Sequence, residues 1–122
     1  MAKTILIIDD AATMRQLLGD TLRNAGYTTV EAADGKAALV QLAMQRVHLA
    51  ICDVNMPGMD GISFVKSVRM NQQFRFLPII MLTTESSEDR KEEGQTAGAR
   101  AWVVKPFRAE QILKAVEKLI MN

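Results

Sequence analysis

A chain of 122 residues can bury a substantial core and falls within the usual size of one domain. Its 15 basic and 14 acidic residues leave a net charge of +1 with no basic block, which argues against a direct DNA or RNA role. The apolar run in "MAKTILIIDD" is too short for a signal peptide or a membrane span, and the single Cys52 cannot form an internal disulfide, so a cytoplasmic chain is expected.

The first predicted strand is "TILII" (4–8), apolar and rich in β-branched residues, and it stops on Asp9 and Asp10. Met14, Leu17, Leu18, Thr21, Leu22 and Ala25 then repeat at helical spacing, with Gly26 closing the helix. "TTVEA" (28–32) is the second strand. Asp34 with Gly35 opens a helix that runs to about Gln45 and buries Ala38, Leu39 and Leu42. The third strand, "LAICD" (49–53), leads into the turn-rich "DVNMPGMDG". There Pro57-Gly58 suits the centre of a type II turn and Asp60 suits the cap of a helix from Ser63 to about Met70, with Phe64, Val65 and Val68 inward. "PIIML" (78–82) is the fourth strand. The connector "ESSEDRKEEGQTAGA" (85–99) has almost no apolar face and contains Gly94, so it reads either as a solvated surface helix or as a weakly held element free to move or bind. "AWVV" (101–104) is the fifth strand. The last helix spans Ala109 to Met121, with Ile112, Leu113, Val116, Leu119 and Ile120 inward.

Strands alternating with helices imply one α/β domain over residues 1–122, with a parallel sheet covered on both faces. Ligands of such sheets bind beyond the carboxyl ends of the strands, at the switch point in strand order. Asp9-Asp10, Asp53, Thr83-Thr84 and Lys105-Pro106 stand at four of those ends, and the less polar Glu31-Ala32-Ala33 at the fifth. With strand two at the edge, in the order 2-1-3-4-5 known for doubly wound sheets, the other four ends surround one crevice.

Taken singly, these residues have ordinary roles. Asp9 or Asp10 could cap the first helix, Asp53 could open a turn and Lys105 could be a surface charge. Together, three clustered carboxylates repel one another unless a cation is bound. An all-oxygen ligand set without Cys or His suits Mg²⁺, or Mn²⁺, better than zinc. A lysine and a hydroxyl facing that ion suit a phosphoryl group, with Asp53 as the candidate nucleophile. Cys52 must point to the opposite face of the strand from Asp53 and reads as a buried, inert thiol. His48 reads as a surface histidine. The eight methionines are core filling, with Met56 and Met59 beside the mouth of the site.

"IIDDAATMR", "CDVNMPGMDG", "PIIMLTTES" and "AWVVKPF" together resemble, in order and spacing, the receiver domain of two-component response regulators. The resemblance spans the whole chain and is greatest to stand-alone, CheY-like chemotaxis regulators. It implies a flavodoxin-like (βα)5 three-layer sandwich. Asp53 matches the phosphoacceptor. Asp10 and Asp53 match direct Mg²⁺ ligands, Asp9 a ligand acting through metal-bound water, and Asn55 a ligand through its backbone carbonyl. Thr83 and Lys105 match the hydroxyl and ammonium that meet the phosphoryl group, and Lys105-Pro106 a peptide bond usually cis in the family. Asn55 and Glu85 occupy positions that tune phosphate lifetime, and their amide and acid pair implies rapid turnover. Trp102 stands where the family commonly has a switching Tyr or Phe, and Thr84 is larger than the usual residue there.

The function so implied is a signalling switch that catalyses only its own phosphorylation and dephosphorylation. Its implied partners are a CheA-type histidine kinase, a flagellar motor switch protein and a phosphatase, with no nucleic acid and no membrane, and the chain is expected to be a monomer. A phosphorelay intermediate or phosphate sink is the nearest alternative. A haloacid dehalogenase-type phosphatase would need a second carboxylate two residues after the nucleophile, where this chain has Asn55, which cannot transfer protons. A flavodoxin-like FMN carrier would need a loop of hydroxyl and glycine donors, whereas "DDAATMR" is acidic, has no glycine and offers the single hydroxyl of Thr13.

Overall fold

The computed structural model describes residues 2–120. Five strands alternate with five helices: β1 (Thr4–Ile8), α1 (Ala12–Asn24), β2 (Thr28–Ala32), α2 (Gly35–Met44), β3 (Leu49–Cys52), α3 (Gly61–Met70), β4 (Ile79–Thr83), α4 (Glu88–Ala97), β5 (Ala101–Val104) and α5 (Ala109–Leu119). The strands form one parallel sheet in the order β2-β1-β3-β4-β5. The fold is therefore the flavodoxin-like three-layer sandwich.

Alternation along each strand divides the core between the two faces of the sheet. Leu6, Ile8, Ala50, Cys52, Ile79 and Met81 face α2 and α3, meeting Ala38, Leu42, Phe64, Val65 and Val68. Ile5, Ile7, Leu49, Ile51, Ile80 and Leu82 face α1 and α5, meeting Leu18, Leu22, Ile112 and Val116. β1 and β3 are covered on both sides, which is why their sequences are apolar without alternation.

Several local expectations shift. Leu17 is 52 % exposed, because α1 turns only Leu18 and Leu22 fully onto the sheet. α3 begins at Gly61, two residues before the expected Ser63, with Asp60 as its N-cap accepting from the Ser63 N–H at 2.7 Å. β3 ends at Cys52 and β4 starts after Pro78, whose missing N–H keeps it out of the ladder. Gly58 has φ +75°, the value a type II turn needs after Pro57. Met56 lies in the core rather than at the site mouth, and Met59 packs over Gly35 at the start of α2. The expected end of the last helix at Met121 falls outside the described residues.

α4 shows how a sequence without an apolar face still forms a helix. Gly94 is its only buried residue. Its ends carry the local signals instead: Ser87 caps the Arg90 N–H, Glu88 and Asp89 face the positive end of the helix dipole, and Gly98 closes it at φ +118°.

Candidate functional site

Strand register brings the polar ends level. Ile8 pairs with Cys52, so the next residues, Asp9 and Asp53, emerge side by side, and the Asp53 N–H bonds the Ile8 carbonyl at 3.0 Å. Thr83 pairs with Val104, and the Lys105 N–H bonds the Thr83 carbonyl at 2.8 Å. β2, at the sheet edge, contributes no side chain to the carboxylate cluster.

Oxygens of Asp9, Asp10 and Asp53 lie within 4.8 Å of one another. Asp9 and Asp53 are buried at 2 % and 8 % exposure, whereas Asp10 faces solvent. Lys105 Nζ donates to Asp9 Oδ2 at 2.8 Å and to Asp53 Oδ2 at 3.0 Å. Burial alone would lower the Lys105 pKa, but the bonds to Asp9 and Asp53 and their charges outweigh it and raise it, so the ammonium stays charged. Three carboxylates against one ammonium leave two negative charges, which a hard divalent cation matches in both charge and ligand type. Among the described residues, Asp9, Asp10 and Asp53 are the grouped side chains that could hold such an ion. The remaining oxygen of Asp53 accepts the Asn55 N–H at 3.1 Å, which turns the backbone at Asn55 back toward the cluster.

Neither aspartate of the acidic pair caps α1. The N-cap is Ala11, without a side-chain bond, and Asp9 Oδ1 accepts the Ala11 N–H at 2.9 Å in a tight local turn.

Thr83 is fully buried, and its Oγ1 accepts the Glu85 N–H at 3.1 Å. The Glu85 carbonyl accepts the Trp102 indole N–H at 3.0 Å. A hydrogen-bonded path therefore joins the end of β4 to the half-buried aromatic of β5. The peptide bond Lys105-Pro106 is cis. Cys52 is buried, and burial together with the neighbouring Asp53, Asp9 and Asp60 charges pushes its thiol pKa well up, so it is no nucleophile. His48, read from sequence as a plain surface residue, has a backbone partner: its Nδ1 accepts the Thr4 N–H at 3.0 Å. A groove of about 630 Å³ between α3 and α4, with Lys66, Met70 and Asp89 on its walls, takes in none of the clustered carboxylates.

Sequence reasoning missed Arg15 and Glu31. Arg15 lay in a quoted motif and Glu31 on the strand end set aside as plain. Arg15 Nη1 donates to the Asp9 backbone carbonyl at 2.6 Å, and its Nε to Glu31 Oε1 at 3.0 Å. Only the pairing of β1 with β2 brings Glu31 within reach, so linear spacing carried no signal for it.

Residues 5–117 match the family model of the response regulator receiver domain. The chain belongs to the response regulator receiver family. This receiver is 40 % identical over 116 residues to the chemotaxis protein CheY of Pseudomonas aeruginosa, covering 94 % of each chain. It superposes on the chemotaxis protein CheY4 of Vibrio cholerae with a TM-score of 0.93 and 45 % identity, covering 98 % of this chain and 99 % of that one. A receiver domain from the sensor histidine kinase PA1611 of Pseudomonas aeruginosa, 26 % identical with a TM-score of 0.89 and 98 % of both chains covered, was solved with a magnesium ion coordinated in its active site cleft. Receivers of this CheY-like kind are phosphorylation-activated signalling switches rather than metabolic enzymes, and they bind Mg²⁺ in an acidic pocket. Among the described residues of this receiver, no helix is long and apolar enough to cross a membrane.

Proposed function

We propose that residues 1–122 act as one receiver unit that accepts a phosphoryl group on Asp53 from a kinase phosphohistidine. The observation that carries this is Lys105 Nζ bridging Asp9 and Asp53 within a cluster of three carboxylates at the sheet's carboxyl ends. A carboxylate oxygen of Asp53 attacks phosphorus, the P–N bond breaks, the imidazole leaves, and an acyl phosphate remains. Asp10, Asp53 and the Asn55 carbonyl would hold Mg²⁺ with Asp9 behind them, and the ion supplies charge neutralisation to the phosphoryl oxygens.

Lys105 changes partner during the step. Phosphorylation removes the carboxylate charge of Asp53, so the ammonium turns from Asp53 Oδ2 to a phosphoryl oxygen while keeping Asp9. Thr83 Oγ1 accepts from Glu85, which leaves its hydroxyl hydrogen to donate to the same group. A shift of Thr83 then loosens Glu85 and, through its carbonyl, Trp102. The surface of β4, β5 and α5 changes, and a downstream partner reads it. Water attack on phosphorus releases inorganic phosphate and restores the carboxylate.

By analogy with the chemotaxis relatives, the upstream partner is a CheA-like kinase and the downstream one a flagellar motor switch protein, with a cytoplasmic setting. Asn55 and Glu85 support a short-lived phosphate, so a half-life of hours in Mg²⁺ would overturn that part of the reading. The deciding experiment is incubation with a small acyl-phosphate donor and Mg²⁺, followed by intact mass. One added phosphoryl group is expected, dependent on Mg²⁺ and absent in Asp53→Asn. No adduct in the wild type would reject the proposal. Trp102 emission should also change on adding beryllium fluoride.

A further inference from the structure

We infer that Arg15 is a positioning residue for the metal-holding carboxylates, anchored for that purpose by Glu31 from the edge strand. Every polar group of Asp9 has a partner. Its N–H bonds the Ala32 carbonyl of β2 at 3.1 Å, its Oδ1 takes the Ala11 N–H, its Oδ2 takes Lys105, and its backbone carbonyl takes Arg15 Nη1 at 2.6 Å. The Asp9 carbonyl belongs to the same rigid peptide plane as the Asp10 N–H. Holding that carbonyl therefore fixes where the Asp10 backbone begins and how its solvent-facing carboxylate is aimed.

The reach of Arg15 follows from its place on the first turn of α1, which returns the side chain over the end of β1. The guanidinium serves two partners at once, Asp9 through Nη1 and Glu31 through Nε. The planar fork makes this possible, where a lysine offers one point charge. The Arg15 side chain is only 18 % exposed, while its Glu31 partner at the sheet edge is 44 % exposed, so the guanidinium is the sheltered member of the pair. Glu31 also cancels the Arg15 charge, so the guanidinium can stand beside a cation site without repelling the ion.

This inference rests on the proposed Mg²⁺ site, and the test separates the two. Mg²⁺ binding is measured by titration calorimetry on wild type, Arg15→Gln, Arg15→Lys and Glu31→Ala, at a temperature where melting curves show each folded. A positioning role predicts Mg²⁺ binding weakened about tenfold in Arg15→Gln, the low end for loss of an outer-shell partner. Arg15→Lys should restore part of that loss. Glu31→Ala should weaken binding less than Arg15→Gln, since Arg15 keeps its bond to Asp9. Simple charge removal predicts the opposite sign for Arg15→Gln, because deleting a positive charge near the site tightens cation binding. A merely structural role lowers the melting temperature and leaves the Mg²⁺ constant of the folded protein unchanged. Either of those results overturns the inference while leaving the metal site standing. Failure of the wild type to bind Mg²⁺ overturns both.

Discussion

Gly61 illustrates how close the backbone runs behind Asp53. A Cβ there would overlap the Asp53 carbonyl oxygen and lie 2.8 Å from the Val54 Cα, both of them backbone atoms unable to step aside. In the sequence Gly61 is only one residue of the turn-rich "DVNMPGMDG", but the requirement here is steric rather than torsional. Gly61→Ala should cost about 1–3 kcal/mol, the usual range for overpacking, and should slow phosphorylation by displacing Asp53. Urea midpoints and the acyl-phosphate mass assay check the two effects. His48 makes a second residue-level prediction. Burial lowers its pKa below 6.5, and the Arg46 and Lys3 charges act in the same direction. The neutral ring, whose Nδ1 accepts the Thr4 N–H, is thus favoured by folding. Its contribution is complete above the unfolded pKa near 6.5 and is lost as pH falls through the lower folded value. His48→Asn, which keeps an acceptor near the Nδ1 position but cannot titrate, should lose less stability than wild type between about pH 7.5 and 5.5 in urea titrations.

At the level of elements, α4 is held by its caps, by Ala97 against the core, by Arg90 facing Asp60 at 3.8 Å and by a notch at Gly94. A Cβ on Gly94 would come within 2.7 Å of Trp102 Cζ3, so the glycine makes room for the indole. From sequence Gly94 was only a helix weakener, because its contact with Trp102 is tertiary. Two opposing effects meet there. Alanine favours the helix by about 1 kcal/mol over glycine, while the rigid ring system must shift to admit a methyl group. The ring is tied through its N–H to the Glu85 carbonyl and cannot swing away without cost. Gly94→Ala is therefore expected to destabilise the wild type, and to stabilise a Trp102→Ala background by about 1 kcal/mol. A double-mutant cycle on urea midpoints gives both numbers. The same contact sets α4 against the residue that links to Thr83, which supports α4 as part of the responsive surface.

Over the whole molecule, the switch site is a local conflict made tolerable by the rest of the fold. Three carboxylates cluster around one ammonium, which pairs with Asp9 and Asp53 and leaves Asp10 without it. Relieving the conflict should stabilise the metal-free protein: Asp10→Asn is expected to gain about 1 kcal/mol, the scale of one exposed charge interaction. Mg²⁺ is expected to raise the melting temperature of the wild type by binding only the native state, and the same substitution should abolish that rise. Thermal melts with Mg²⁺ and with a chelator test both halves, and an apo gain without loss of the Mg²⁺ effect would contradict the site. Element order, the apolar faces of α2, α3 and α5, and the polar strand ends were legible in the sequence because periodicity and capping are local. So were Asp60 and Asp34 as caps, the latter accepting the Ala37 N–H at 2.8 Å. The strand order came from likeness to known sheets, since non-local pairing leaves no trace in spacing. The sequence by itself determined which residue types meet at the carboxyl ends, because each strand must stop on whatever follows its apolar run. Only the tertiary structure decided that Lys105 bridges Asp9 and Asp53, that Arg15 and Glu31 brace Asp9, and that Gly61 and Gly94 must lack a side chain. Those are contacts between strands and helices far apart in the chain, and sheet register and packing distance set them.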